Sequence, residues 1–168
     1  MIKEQNLILT GLQVQQIIRR IAFEIYENNF DEKQIVIVGI YDKGYSIAKM
    51  LVKQLADIAP EVKTSLVRLN INKDQPAGAE VTLDVDSVQL KGKSIIIVDD
   101  VLNSGKTMAY SFKAILDVEV KKLQAAVLVN RSHKRFPVLA NYMGYELSTT
   151  IDEHVEVILE DNKGVFLY

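Results

Sequence analysis

The chain has 168 residues, a net charge of −2 at neutral pH, 48% hydrophobic and 25% charged residues, and no cysteine. That length suffices for one domain with its own core, and no global charge advertises nucleic-acid or membrane binding. The missing cysteines exclude disulfides, thiolate metal sites and a cysteine nucleophile. No apolar run approaches the roughly 20 residues of a membrane span. Met1–Asn6 lacks the basic-then-apolar layout of a secretory signal, so a reducing, cytoplasmic setting is expected.

Thr10-Gly11-Leu12-Gln13 has the form of a capping box opening a helix. Val14, Ile17, Ile18, Ile21, Ala22, Ile25 and Tyr26 follow at helical spacing, and Asn28-Asn29 marks a stop. Ile35–Ile40 is a buried-strand candidate that runs into Gly39-Ile40-Tyr41-Asp42-Lys43-Gly44. A helix through Ile47, Met50, Leu51 and Leu55 ends at Pro60. Val62–Ile71 reads as a strand of mixed polarity, and Asn72–Glu80 as a polar loop of the kind that lids are drawn from. Val81–Leu83 is a short strand candidate, and Lys91-Gly92-Lys93 turns the chain into its central stretch.

That stretch is Ile95–Thr107. Four branched apolar residues, Ile95 to Val98, fit a strand buried on both faces. Asp99 and Asp100 sit at its carboxyl end, where open α/β sheets bind ligands. Asn103-Ser104-Gly105 then leads into a helix near Lys106, with Met108, Phe112, Ile115 and Leu116 on one side. A small-residue turn before a helix amino terminus cradles an anion, and carboxylates accept hydrogen bonds from sugar hydroxyls, so the stretch reads as a pocket for a phosphorylated sugar. Gly105-Lys106-Thr107 does not complete a P-loop, because Asp100 stands where that motif needs glycine.

Leu123–Val129 is a further buried strand, followed by the basic run Asn130-Arg131-Ser132-His133-Lys134-Arg135. The chain from Tyr142 reads as short strands and turns. Strand–helix alternation without a linker predicts one α/β domain over residues 1–168, a central mostly parallel sheet flanked by helices. A small hood is expected, mainly from the segment after residue 130 plus the amino-terminal residues. His133 and His154 have no acidic or histidine partner in sequence and are read as neither metal ligands nor general bases.

Val98-Asp99-Asp100-Val101-Leu102-Asn103-Ser104-Gly105-Lys106-Thr107 resembles the phosphoribosyl-pyrophosphate signature of type I phosphoribosyltransferases. Over nearly its whole length the chain is similar to the pyrimidine-operon attenuation regulators that are also uracil phosphoribosyltransferases. Ile18-Arg19-Arg20, Val38-Gly39-Ile40, Ala126–Val129, Arg131, His133 and Pro137 carry that likeness. The resemblance implies the type I phosphoribosyltransferase fold and an enzyme that ribosylates a nucleobase, uracil first, from phosphoribosyl pyrophosphate and Mg²⁺. The metal would arrive on the substrate, with no direct protein ligand.

Carried onto this sequence, the resemblance makes Asp99 and Asp100 catalytic and ribose-binding. Asn103, Ser104, Gly105, Lys106 and Thr107 would hold the 5′-phosphate. Asp42, Lys43, Gly44 and Lys73 would meet pyrophosphate, although a solvated surface lysine is the other reading of Lys73. Asn130, Arg131, Tyr142 and Met143 would bind the base, with a core tyrosine as the other reading of Tyr142. A homodimer or higher homo-oligomer is the expected assembly.

Three departures bear on the base. Asn103 stands where the regulators carry tyrosine and purine-salvage enzymes aspartate, and it cannot act as a general base. Ser104 replaces threonine and keeps the hydroxyl, while Phe23 stands where the regulators tend to have histidine. The alternatives are a hypoxanthine/guanine phosphoribosyltransferase, weakened by Asn130 where a lysine is usual, and an RNA-binding regulator using the pocket as a nucleotide sensor. Arg19, Arg20, Arg131, Lys134 and Arg135 motivate the RNA reading; the acidic balance and Phe23 count against it.

Overall fold

The computed structural model describes residues 5–78, 80–161 and 163–168. Residues 1–4 of the amino-terminal stretch and Ala79 of the polar loop lie outside the described residues. Six strands form the main sheet: β2 (Gln34–Ile40), β3 (Lys63–Asn70), β4 (Thr82–Leu83), β5 (Ser94–Leu102), β6 (Lys122–Arg131) and β7 (Tyr142–Leu147), in the order β4-β3-β2-β5-β6-β7. All neighbours run parallel except β4, which pairs antiparallel with β3. The register sets Val36-Ile37-Val38 beside Ile95-Ile96-Ile97, so the most apolar strands occupy the centre, buried on both faces.

Alternation along these strands sorts the core into two layers. Ile35, Ile37, Ile96, Val98, Ala126 and Leu128 pack with helices α1 (Gly11–Asn28) and α2 (Lys43–Ile58). Val36, Val38, Ile95, Ile97, Ala125 and Val127 pack on the opposite side, which is closed by α3 (Lys106–Ile115) and a 3-10 turn at Ser87–Leu90. The Thr10 capping box is formed in full, Gln13 N to Thr10 Oγ1 at 3.2 Å and Thr10 N to Gln13 Oε1 at 2.8 Å, which fixes where α1 starts.

Strand order positions the site. The chain leaves β2 through α2 toward β3 on one side, and leaves β5 through α3 toward β6 on the other. The carboxyl ends of β2 and β5 therefore flank a topological switch point, where diverging connections open a crevice. The amino termini of α2 and α3 both begin there.

A second sheet, β1-β9-β8, is antiparallel and joins β1 (Asn6–Thr10) to β8 (Val155–Ile158) and β9 (Gly164–Leu167). Its Leu9, Val155, Val157 and Val165 merge into the α1/α2 layer. One boundary differs from the sequence reading. Tyr142–Leu147, expected beyond the main sheet, is its edge strand, paired with β6 from Ala126↔Tyr142 to Arg131↔Leu147. Its half-exposed, polar outer positions are those of an edge strand, which local pattern does not separate from a loop.

Candidate active site

β5 delivers Asp99 and Asp100 to the crevice. Asp99 is buried, and its Oδ1 accepts the Asp100 main-chain N–H at 2.9 Å. Lys73 reaches in from the 72–80 loop: Nζ donates to Asp99 Oδ1 at 3.1 Å and lies 3.9 Å from Asp100 Oδ1. Burial pushes the Asp99 carboxyl up to about 7, and the neighbouring Asp100 charge adds to this while Lys73 opposes it. Burial works against the Lys73 ammonium, but Asp99 and Asp100 outweigh it and hold its pKa above the usual lysine value. The cleft thus already holds one cation between two carboxylates.

Beyond the aspartates, Asn103–Gly105 turns into α3. Gly105 has φ +85°, in the left-handed region that glycine adopts without strain, and a Cβ there would lie 3.3 Å from the Phe136 carbonyl. The turn is pinned by Arg135 and Phe136 main-chain N–H groups, which donate to Ser104 O at 2.9 and 3.0 Å. Ser104 Oγ accepts from Lys106 N at 3.3 Å. The first N–H groups of a helix lack intrahelical partners, so this turn offers donors and a positive dipole end to an anion.

Across the cleft, the Tyr41–Asp42 peptide is cis and α2 begins at Lys43, so Lys43 and Gly44 form its first turn instead of a free loop. Gly44 lies behind Asp99: a Cβ would stand 2.6 Å from Val98 O and 2.9 Å from Asp99 Oδ1. Asp42, Lys43, Lys73, Asp99, Asp100 and the Asn103–Thr107 turn come together around one cleft of about 560 Å³. Among the described residues no cluster of three or more histidine or acidic side chains is placed to hold a metal by itself.

Residues 4–161 match the phosphoribosyl transferase domain family. The chain belongs to the phosphoribosyltransferase family. The Bifunctional protein PyrR of Enterococcus faecalis is 34% identical over 164 residues, 94% of this chain and 91% of that protein. The Bifunctional protein PyrR of Haemophilus ducreyi is 31% identical over 173 residues, covering 96% and 93%. Among solved structures, the hypoxanthine phosphoribosyltransferase of Trypanosoma cruzi superposes with a TM-score of 0.79 at 15% identity, covering 96% of this chain and 95% of that one. A hypoxanthine-guanine phosphoribosyltransferase from Bacillus anthracis gives 0.72 at 18%, covering 84% and 82%. At those identities the structures share the fold.

Within this phosphoribosyltransferase the residues expected to bind the base divide. Tyr142 is 2% exposed, its hydroxyl donating to Gln124 Oε1 at 2.8 Å and accepting from Asn29 Nδ2 at 3.4 Å; it is a core tyrosine and cannot stack on a ligand. Its inward parity on β7 is the reason. Met143 packs against the α3-side core, away from the cleft. Asn130 is held by Lys134, whose Nζ donates to Asn130 Oδ1 at 2.7 Å, and does not line that cleft. Arg131 alone of the four approaches, bonded to Asn103 Oδ1 at 3.0 Å.

The sequence reading missed the wall opposite the turn. His154, Val155 and Glu156 line the cleft at the start of β8, and Asp74 joins Lys73 at its mouth. Val155 and Val157 alternate with Glu156 and Ile158, a strand signal, but only pairing with β9 brings that strand over the cleft.

Proposed function

We propose that this phosphoribosyltransferase transfers ribose 5-phosphate from phosphoribosyl pyrophosphate to uracil, releasing pyrophosphate. The observation that carries the reading is the pairing of two acceptor-rich side chains, Asp99 and Asp100, with two helix amino termini in a single cleft. A sugar bearing anions at both ends matches that alternation of charge. Asp99 and Asp100 accept hydrogen bonds from the ribose hydroxyls, taking the place Lys73 now fills. Asn103 to Thr107 hold the 5′-phosphate through main-chain N–H groups and the hydroxyls of Ser104 and Thr107.

Asp42, Lys43 and the displaced Lys73 face the pyrophosphate. The residues fit a divalent cation that would arrive with the substrate, since carboxylates that already hold an ammonium stand beside the cleft. Mg²⁺ bound to pyrophosphate supplies charge neutralisation for the leaving group. As the bond to pyrophosphate lengthens, positive charge grows at the anomeric carbon, and the two carboxylates stabilise it. The base then occupies the remaining wall, between Asn103 and His154–Glu156.

Uracil is favoured by the likeness to the attenuation regulators. RNA binding receives less support. Arg20 Nη2 donates to Gly144 O at 2.7 Å, Arg19 Nη1 to Gln54 Oε1 at 2.9 Å, and Arg131 and Lys134 are likewise engaged within the chain.

Nucleotide formation from phosphoribosyl pyrophosphate and Mg²⁺ with uracil, guanine, hypoxanthine, adenine and xanthine in parallel tests the reading. Uridine monophosphate alone is the expected product. A purine nucleotide would overturn the base and keep the chemistry; no product from any base would overturn both. Asp100→Asn is expected to lower turnover at least about tenfold, roughly 1.4 kcal/mol of barrier. Unchanged turnover in a folded variant would remove the dyad from the mechanism.

A further inference from the structure

Among the described residues Lys73 is the one cation paired with the acidic dyad, and it sits where the ribose is to bind. Its Nζ donates to both Asp99 oxygens, Oδ1 at 3.1 Å and Oδ2 at 3.4 Å, and stands 3.9 Å from Asp100 Oδ1. The contact spans 26 positions of sequence, from the irregular segment between β3 and β4 to the end of β5. Asn72 Oδ1 accepts the Asp74 and Gln75 main-chain N–H groups at 3.0 and 3.3 Å, and the turn so formed carries Lys73 toward the dyad.

Charge decides what this contact does. The ionised dyad carries two negative charges and Lys73 one positive. Ribose hydroxyls are neutral, so a ligand that takes the dyad through them evicts an ammonium and puts no charge in its place. The Lys73 side chain is 39% exposed, so it can leave without the fold opening. Pyrophosphate on the same sugar offers the evicted ammonium a new anion within the same cleft. Ribose 5-phosphate and a nucleoside monophosphate offer none, because their single phosphate is held at the turn before α3.

We propose that Lys73 is a specificity-determining residue that separates the pyrophosphorylated donor from pyrophosphate-free ribose phosphates by changing partner, holding the dyad in the empty cleft and moving to pyrophosphate when the donor is bound. The inference rests on the phosphoribosyltransferase reading of the cleft and deepens it. Ribose 5-phosphate and the product nucleotide compete with the ammonium for Asp99 and Asp100. With the donor, a new ion pair offsets the one that is broken. Once pyrophosphate has left, the ammonium is drawn back to the dyad, which favours release of the nucleotide.

Acylation of lysines by a small amine-reactive ester, read peptide by peptide by mass spectrometry, follows the exchange in the whole chain. Only the free amine reacts. Burial disfavours the Lys73 ammonium, but Asp99, Asp100 and Asp42 outweigh it and hold its pKa above the usual lysine value, so labelling in the empty cleft is expected to be slow. Lys91, exposed just before β5 at the end of the sheet away from the cleft, is the internal reference. Saturating ribose 5-phosphate is expected to raise the Lys73 rate about fivefold or more against Lys91, because the released amine loses its carboxylates. Phosphoribosyl pyrophosphate with Mg²⁺ is expected to keep it slow.

Calorimetric titration of Lys73→Met adds a test of sign. Loss of a cation by itself weakens the binding of any anion. The variant is instead expected to bind ribose 5-phosphate about threefold or more tightly than wild type, since its dyad is no longer self-occupied, and phosphoribosyl pyrophosphate about threefold or more weakly. Lys73 labelling that ribose 5-phosphate leaves unchanged or slows, while calorimetry shows the ligand bound, overturns the proposal. So does a variant that binds ribose 5-phosphate no more tightly than wild type does. Failure of the underlying reading looks different: neither ligand then binds, wild type makes no nucleotide from any base, and the inference falls with it.

Discussion

Asp99 is buried at the carboxyl end of β5 with a second carboxylate beside it, and the two circumstances raise its pKa to about 7. An exposed aspartate titrates near 3.9. A carboxyl whose folded pKa exceeds its unfolded value binds its proton more tightly when folded. The stability it contributes is therefore full below about pH 4 and lost as pH rises through about 7. Near pH 8 the ligand-free protein carries the whole cost of an ionised, buried Asp99, offset in part by Lys73. Asp99→Asn removes the titration while its amide oxygen still accepts the Asp100 N–H, and Lys73, partly exposed, turns toward Asp100 and solvent. The variant is expected to melt several degrees above wild type at pH 8, with the gap shrinking toward pH 4, and to have lost most of its transferase activity. Thermal denaturation at the two pH values checks it; a gap that is constant or wider at the acid end would mean that burial does not hold the proton on Asp99.

The elements that make the site are two strand-to-helix corners, β2–α2 and β5–α3, brought side by side. Their closeness depends on residues without side chains. At Gly44 in the first turn of α2, a Cβ would approach Val98 O to 2.6 Å and the Asp99 Cα to 2.9 Å. Both atoms are backbone of the central strand, held by parallel neighbours on each side, so neither can yield cheaply. Overpacking of this kind costs about 1–3 kcal/mol. Gly44→Ala is therefore expected to lower the free energy of unfolding by that amount and to weaken phosphoribosyl pyrophosphate binding, because relieving the clash displaces Asp99. Chemical denaturation and calorimetric titration read the two effects. Loss of stability with unchanged binding would separate the corner from the site, and no change in either would remove the contact as a constraint.

At the scale of the whole molecule, what was legible in the sequence was what is local. The Thr10 capping box, the apolar β2 and β5, the aspartate pair and the glycine turn into α3 each depend on residues within a few positions of one another. The rest depends on pairing across the chain. Tyr142 is buried because β7 pairs with β6, and His154–Glu156 face the cleft because β8 pairs with β9 and β9 with β1 near the opposite end of the sequence. Arg131 reads as one of a basic run until Asn103, 28 positions away, is found against it. The same long-range construction gives the last expectation. The cleft takes its walls from both sheets, β5 and the α2 and α3 corners on one side and β8 on the other, so a ligand filling it ties the sheets together. Binding to the folded state alone at a hundredfold excess over Kd stabilises by about 2.7 kcal/mol. In a chain of this length each kcal/mol moves Tm by roughly 2–4 °C. Phosphoribosyl pyrophosphate with Mg²⁺ is thus expected to raise Tm by about 5–10 °C. Ribose 5-phosphate engages the dyad and the phosphate turn but leaves Asp42, Lys43 and Lys73 without their partner, so it is expected to raise Tm less at equal concentration. Equal shifts would deny those three residues a part in binding, and no shift with either ligand would place the substrate outside this cleft.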